Sequence, residues 1–472
     1  MASSSPIPIF LCLVAVAHAY TKFDSKCSVP PDSVNFVSSA DTRGTLDILW
    51  SCLFTIFACT WTIQHLNVPE QRHGRDKSKL GCIKWLLKGP LDSAKWMLIT
   101  AFAPEVILGK AWSDLSAARK NKRKMQEWVE KDGVEWELSH SFFANMGGFV
   151  AIPQDRVKFP TTVSSGGPTD GPSEAQEGPH EKQPEYTERS DIRKTIPLVL
   201  LGETMLEMRE KEYIKSLPDI SHDELSDKSK GNVFAKTIAI SQVSWNTVQI
   251  VARIAKGLTV TQLELAVTAF SFCAVITYLL LLKKPQGVQV PARPINCTQA
   301  VQLNHGHPLS CEEWILRSNQ KNCGRCALKL IPWRAPLPRD HIPNDIIEGN
   351  GDNEFVVGIV VGTVVFGAIH VAGWNLVFHN NIEQLLWRIA SLYITAFTVI
   401  PYVFSLPFTI CFLCVKRSSL ENYFTDRIVS VLSISIYIAA RLFLVVEYFR
   451  TLFFLPPDAY ISTWASNIPH VA

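Results

Sequence analysis

Four stretches of the chain carry no charged side chain over a length that spans a lipid bilayer, and they restrict the fold more than any other feature. The hydrocarbon core of a bilayer is ~30 Å thick and takes ~20 mostly apolar helical residues. A fifth stretch, 428–454, is interrupted only by Arg441, Glu447 and Arg450. The sequence therefore predicts an all-α integral membrane bundle. The charge-free stretches are Ile48–Val68, Leu265–Leu282, Phe355–Ile382 and Ile389–Val415.

The composition agrees with apolar spans that alternate with polar connections. Mean hydropathy is +0.11 although 19% of the residues are charged. The net charge of +3 is small and no long basic run is present, so we expect the lipid bilayer, and no nucleic acid, as a partner. No nucleotide-binding or hydrolase motif is visible, and we expect no cofactor.

The N-terminus has the pattern of a secretory signal peptide. Residues 6–17 are apolar, and Ala17-His18-Ala19 is a small-x-small cleavage site. We expect residues 1–19 to be removed, which leaves a short exoplasmic segment over 20–45. Residues 1–5 lack a basic side chain, so an uncleaved anchor is the alternative.

Residues 69–233 are predicted to be cytoplasmic and only partly folded. The apolar segment 91–108 lies between two basic clusters, which favours an interfacial or re-entrant helix over a span. Residues 153–190 are rich in Pro, Gly, Ser and Glu and are predicted to form a disordered linker.

A transmembrane helical hairpin is predicted over 234–282. In its first arm, polar residues at spacings of four and three form one stripe on an otherwise apolar helix, which suits a helix facing a bundle interior or an interfacial helix. Gly257 can end that helix, and Thr261-x-x-Glu264 is a capping box for the second. The stripe consists of Gln242, Asn246, Gln249, Arg253 and Lys256.

We predict six spans: one over 46–68, two in the hairpin and three over 355–455, followed by an exoplasmic tail at 456–472. This arrangement places the Lys- and Arg-rich connections, including the 283–354 loop, in the cytoplasm. A five-span alternative makes that loop lumenal. Asn296-Cys297-Thr298 would then be a usable glycosylation acceptor, with Asn296 carrying the sugar.

The 283–354 loop holds four cysteines, of which only one pair is closely spaced. Zinc sites commonly use two close pairs, so we predict no metal site and keep these cysteines as weak candidates. In a lumenal loop they would form disulfides instead. The four are Cys297, Cys311, Cys323 and Cys326.

Polar side chains inside the spans are the best candidates for function, because lipid penalises them. His370, Trp374, Asn375 and Arg441 are predicted to line an intramembrane polar site; the alternative is a hydrogen bond that only holds the bundle together. Arg441 is expected to find its partner on another helix or to line a hydrated cavity. Glu447 and Arg450 are well spaced for each other.

The glycine pair Gly358-x3-Gly362 allows close helix approach and is a candidate contact between subunits. From these residues we expect transport or sensing of a small molecule or ion, in the endomembrane system or plasma membrane. One alternative is an enzyme acting on a lipid or terpenoid-like substrate with His370, Glu264 or Glu383 as acid or base. The other is a membrane scaffold without catalysis.

The chain resembles a group of fungal multi-pass membrane proteins of unassigned function. The resemblance implies a membrane protein of fungal origin and assigns no catalytic residue. It rests on GTLDILWSCLFTIFACTWT (44–62), FFANMGGF (142–149), SWNTVQIVARIAKGLTVTQLEL (244–265) and GAIHVAGWNLVFHNNIEQLLWRIAS (367–391).

Overall fold

The computed structural model is mostly helical, as the sequence predicts. It describes residues 42–72, 76–153, 197–231, 233–297, 311–322, 338–345, 352–398 and 419–463. The helices are, in chain order, α1 (Thr45–Thr62), α2 (Lys79–Phe102), α3 (Pro104–Asp132), α4 (Leu138–Asn145), α5 (Gly202–Glu210), α6 (His222–Lys228), α7 (Val233–Ala255), α8 (Gln262–Leu280), α9 (Cys311–Asn322), α10 (Asp352–Ala372), α11 (Asn381–Ala396) and α12 (Ser419–Arg450).

Within the described residues, four helices are long and apolar enough to cross a membrane by length and composition. They belong to α1, α8, α10 and α12, and each corresponds to a predicted span. The four apolar segments are Thr45–Thr62, Gln262–Leu280, Asn353–Ala372 and Val431–Phe453.

Helix α7 packs beside α1 and α8 with its polar stripe turned inward. Gln242, Asn246 and Arg253 are buried, whereas Ile240 and Ile254 are more than 60% exposed. This inside-out distribution is the reverse of a water-soluble helix and suits contact with lipid on the outer face. Lys236, near the start of α7, lies over the ring of Tyr278, near the end of α8, so the two helices run antiparallel.

Helices α2 and α3 form a hairpin that enters the bundle and returns to the same end. Ala103 separates them with non-helical dihedrals, since a residue before proline is disfavoured in the helical region. We predicted one interfacial helix over 91–108; the structure instead breaks it at this residue. The hairpin tip reaches the middle of the apolar segment Val431–Phe453, where Glu105 meets Arg441.

The glycine pair of α10 faces α3 of the same chain. A Cβ atom on Gly358 would lie 2.6 Å from the Cα of Gly109, and one on Gly362 would lie 2.7 Å from the Cα of Glu105. Only glycine permits this approach of the two backbones. The subunit contact stays a prediction, and this glycine surface is already occupied within the chain.

A polar domain lies at the end of the bundle where α1 and α8 finish. It comprises residues 63–72, 120–153, 197–231 and the described residues of 284–345. Its main hydrophobic core lies around Phe149, Met205 and Trp314, and Ile342 joins a smaller cluster with Val199 and Leu201. The prediction treated 69–233 and 283–354 as separate connections. They fold together because each contributes apolar side chains that neither can bury alone.

A three-stranded sheet in the polar domain corrects the all-α prediction. Strand β1 (Phe149–Pro153) is central, antiparallel to β2 (Leu198–Leu200) and parallel to β3 (Ile295–Cys297). Two of the strands have only three residues, too few to show a period-two pattern. The pairing also joins segments far apart in sequence, so no local signal predicts it.

At the opposite end of the bundle, Arg253 of α7 holds the C-terminal segment in place. Arg253 donates hydrogen bonds to the carbonyls of Thr259, Asp458, Ala459 and Ile461 at 2.7–3.1 Å. Short 3-10 turns at Thr451–Phe453 and Pro457–Tyr460 bring these carbonyls into place. The C-terminal segment is thereby tied to the α7–α8 connection.

Several predicted features lie outside the described residues: the signal peptide and most of the exoplasmic segment, the linker after Pro153, Cys323, Cys326 and the tail after 463. The capping box of α8 is confirmed, with Thr261 and Glu264 hydrogen-bonded to each other's backbone N–H groups. The end of α7 before Gly257, at φ +67°, is also confirmed.

Candidate functional site

A buried ion pair joins the hairpin tip to α12. Arg441 donates to one carboxylate oxygen of Glu105, and Tyr437 donates its hydroxyl hydrogen to the other. The Nε of Arg441 donates to the Tyr437 hydroxyl at 3.1 Å. Both charged residues are buried, Glu105 at 2% and Arg441 at 6% exposure. Of the two alternatives for Arg441, the structure shows a partner on another helix.

Local sequence explains why Glu105 is at the tip. Pro104 is the first residue of α3, where its missing N–H costs nothing, and its ring presets the helical φ. A carboxylate in the first helical turn is stabilised by the positive end of the helix dipole. Sequence reasoning overlooked Glu105, although this Pro-Glu start was the available signal.

His370 lies beside this pair and is fully buried. Its Nδ1–H donates to the Phe366 carbonyl at 2.7 Å, and its Nε2 accepts from the Tyr448 hydroxyl at 2.6 Å. The Phe366 ring separates the two polar groups, with its centroid 4.3 Å from the imidazole centroid and 3.7 Å from the Arg441 guanidinium carbon. We call Glu105, Tyr437, Arg441, His370 and Tyr448 the buried polar cluster.

Trp374 and Asn375 do not join the buried polar cluster. Trp374 is 38% exposed, carries the Arg388 guanidinium 4.9 Å above its ring and accepts a hydrogen bond from Arg388 on its carbonyl. Asn375 is exposed at the end of α10. Of the four predicted site residues, the structure therefore brings together His370 and Arg441.

The two glutamates considered as acid or base have structural partners. Glu264 forms an ion pair with Arg43 in addition to its capping bonds. Asn380 caps the start of α11 by accepting from the Glu383 backbone N–H, and its side-chain amide donates to the Glu383 carboxylate. That carboxylate also pairs with Arg450, which contacts Glu447 at 3.4 Å. These contacts give both carboxylates a role in holding helix ends.

Two of the four loop cysteines are bonded to each other. Cys297, at the end of β3, forms a disulfide with Cys311, the first residue of α9, so neither is available to a metal. Among the described residues, no three His, Cys, Asp or Glu side chains gather as a metal site would require. Asn296, the glycosylation candidate, is exposed on β3, at the edge of the sheet.

A cavity of about 660 Å³ lies where the bundle meets the polar domain. Its walls are the end of α1, the middle of α2, the start of α7 and the segments around 286–289 and 341–345. Gln286 fixes one wall, because its side-chain amide donates to the carbonyls of Thr62 and Gln64 at 2.8 and 3.0 Å. We call this space the interfacial cavity.

Charged side chains of both signs line the interfacial cavity together with two tryptophans, Trp61 and Trp96. Lys88, Asp92 and Lys95 recur at helical spacing along the cavity side of α2. This spacing was visible in the sequence, but only the fold brings α1 and α7 against it. The charged lining residues are Glu70, Lys88, Asp92, Lys95, Lys230, Lys236 and Asp345.

The outer face of α2 is apolar and exposed, on a helix that packs against α1 and α3. A row of large side chains on a helix that also lines a polar cavity suits a boundary between lipid and water. The exposed side chains are Leu80, Ile83, Leu86, Leu87, Leu91, Leu98 and Phe102.

Comparison with known proteins gives a family but no activity. Searches of curated proteins and of solved structures found no match. The model of a family of unknown function, DUF8562, matches residues 14–162 and 194–299. The matched ranges include the hairpin, the antiparallel pair α7–α8 and all three strands. The chain belongs to this family of unknown function, DUF8562.

Proposed function

We propose that this chain is a six-span membrane protein that binds a small molecule in the interfacial cavity, for its transport or sensing. The cavity carries the functional part of the proposal. Its volume of about 660 Å³ lies within the ~300–1,000 Å³ range of small-molecule sites. Aromatic and charged side chains converge there from the hairpin, two bundle helices and the polar domain.

The six spans are supported by the shared core of the polar domain. Its parts before α7 and after α8 pack together, so the chain between them crosses the membrane an even number of times. The antiparallel pair α7–α8 supplies two crossings. We assign the others to α1, α10, α12 and the predicted span 389–415, of which the residues after 398 lie outside the described part of the chain. The α2–α3 hairpin enters and returns without crossing.

We place the polar domain in the cytoplasm because Lys and Arg concentrate in the connections on its side. The Cys297–Cys311 disulfide supports the opposite placement, since disulfides persist in oxidising compartments. One experiment should therefore test both the side on which the polar domain lies and the number of spans.

Cysteine accessibility tests this topology. Lys120→Cys, Lys321→Cys and Lys256→Cys are each made in a Cys82→Ser background and labelled on intact cells, with the background alone as the blank. We expect labelling from outside at position 256 only, and labelling at 120 and 321 after permeabilisation. Labels at 120 and 321 on different sides would disprove the shared domain. If both positions were labelled from outside, or if Asn296 gave a glycosidase-sensitive band, the polar domain would lie on the exoplasmic side instead.

Binding is tested by filling the cavity. Ser93 lines the cavity, whereas Leu86 points outward at 75% exposure. Native mass spectrometry of the wild-type chain, extracted with its native membrane, should show a bound molecule that Ser93→Trp loses and Leu86→Trp retains. A wild-type chain without a bound molecule, or an unchanged adduct in Ser93→Trp, contradicts the proposal.

A further inference from the structure

The interfacial cavity contains nearly balanced charge. Four lysines and three carboxylates line it, and one of each is engaged in the Lys88–Glu70 ion pair. On α2, Asp92 and Lys95 lie almost one turn apart, so opposite charges face the cavity from the same wall. An anion alone would leave the carboxylates repelling it, and a cation alone would be repelled by the lysines. A ligand that carries both a positive and a negative group can pair with the carboxylates and with the lysines.

The position of the cavity indicates where such a ligand comes from. The apolar helix α1 ends at Trp61 and Thr62, which both line the cavity, and Lys236 in the first turn of α7 lines it as well. Tryptophan and lysine at the ends of membrane helices lie at headgroup depth. The outer face of α2 meets the acyl region beside the same cavity, so a molecule can place its polar part inside while its chains remain in lipid.

We propose that the interfacial cavity binds the headgroup of a zwitterionic phospholipid. The phosphate lies toward Lys95, Lys230 and Lys236, since ammonium groups act as point charges for phosphate oxygens. The ligand's ammonium group lies toward Asp92. Trp61, 43% exposed at the rim, offers an aromatic face to the same cation. This inference rests on the proposed binding function and names its ligand class.

The test uses the purified full chain in detergent with defined dioctanoyl lipids. Native mass spectrometry compares phosphatidylethanolamine, phosphatidylcholine and phosphatidylglycerol, together with the chain-free compound glycerophosphoethanolamine. We expect a zwitterionic lipid to bind most tightly and Lys95→Gln/Lys236→Gln to weaken it by about tenfold or more, as the loss of charge-assisted contacts implies. Asp92→Asn should reduce its preference over phosphatidylglycerol.

Lys256→Gln/Lys283→Gln is the matched control, because it also removes two positive charges, from exposed residues outside the cavity lining. Phosphatidylglycerol binding as tightly as the zwitterionic lipids overturns the inference. If glycerophosphoethanolamine bound as tightly as the lipids, the ligand would not need to come from the membrane. If the control variant lost as much lipid binding as Lys95→Gln/Lys236→Gln, the cavity would not be the binding site. In each case an adduct that Ser93→Trp abolishes would leave the proposed function standing with another ligand.

Discussion

Arg441 and Glu105 show what one buried charge can cost. Each charge is buried, and each is compensated chiefly by the other and by Tyr437. Removing one partner leaves an uncompensated buried charge, which costs about 3–5 kcal/mol. We therefore expect Arg441→Met to lower the free energy of unfolding by about that amount, measured by denaturant titration in micelles.

The double variant Glu105→Gln/Arg441→Met separates the cost of an unpaired charge from lost packing. It should recover at least half of the loss, because no isolated charge remains. Arg388→Met, which removes an arginine from the surface beside Trp374, is the control and should change little. A double variant as unstable as Arg441→Met would show that the pairing is not what stabilises this position.

In the polar domain, the Arg209 guanidinium holds the pKa of Asp132 below its usual value, chiefly through hydrogen bonds of 2.7–3.2 Å. Asp132 also accepts from the Leu217 N–H at 2.8 Å. We expect Asp132→Asn to destabilise the domain by about 1.5–3 kcal/mol at pH 7, as for hydrogen bonds to charged groups.

The pH dependence of this effect follows from the lowered pKa. The folded chain releases the Asp132 proton more readily than the unfolded chain. The stabilisation is therefore complete above the unfolded pKa of about 3.9 and is lost as pH falls through the folded value. Hydrogen exchange at Leu217 should differ between wild type and Asp132→Asn at pH 7, and the difference should shrink below pH about 4. A constant difference would contradict the charge-based explanation.

At the scale of elements, the contact between α3 and α10 depends on the absence of side chains. An alanine at Gly362 would place its Cβ 2.7 Å from the backbone of Glu105, which cannot rotate away. We expect Gly362→Ala to push the hairpin tip outward and lower the free energy of unfolding by about 1–3 kcal/mol, as overpacking does. Denaturant titration in micelles measures this change in the free energy of unfolding.

Gly89 is the matched control for this substitution. It also lies inside a helix, but a Cβ there meets no atom within 4 Å apart from its two chain neighbours. Gly89→Ala should change the free energy of unfolding little, because the backbone entropy that alanine saves in a helix is offset by the contact of its Cβ with the ring of the following Pro90. Equal effects of the two variants would mean that the glycine contact does not determine how close α3 and α10 pack.

For the whole molecule, the polar domain should hold the two halves of the chain together without the connection between β1 and β2. The composition of residues 153–190 predicts that a protease site inserted near 170 is cut readily. β1 pairs with β2 and β3, and the core draws on both halves, so we expect the fragments to coelute after cleavage. Separation of the fragments in detergent without denaturant would contradict the shared core.

Local chemistry explains which features of this protein were predictable. The charge-free runs identified the apolar helices, and helical spacing identified the buried stripe of α7. Thr261 and Glu264 identified a helix start, and Glu447 and Arg450 a neighbouring pair. Each of these signals lies within one continuous stretch of sequence, at most about as long as a single helix, so the sequence alone determines them.

The tertiary structure decided which distant residues meet. Glu105 and Arg441 are 336 positions apart, and the strands of the sheet come from three separate segments. His370 was recognised because lipid penalises a polar side chain, but its partner Tyr448 was not, since a tyrosine in a span looks apolar. The interfacial cavity exists only where α1, α2, α7 and the polar domain converge. Contacts of this kind form when the whole chain buries its surface, and no local pattern encodes them.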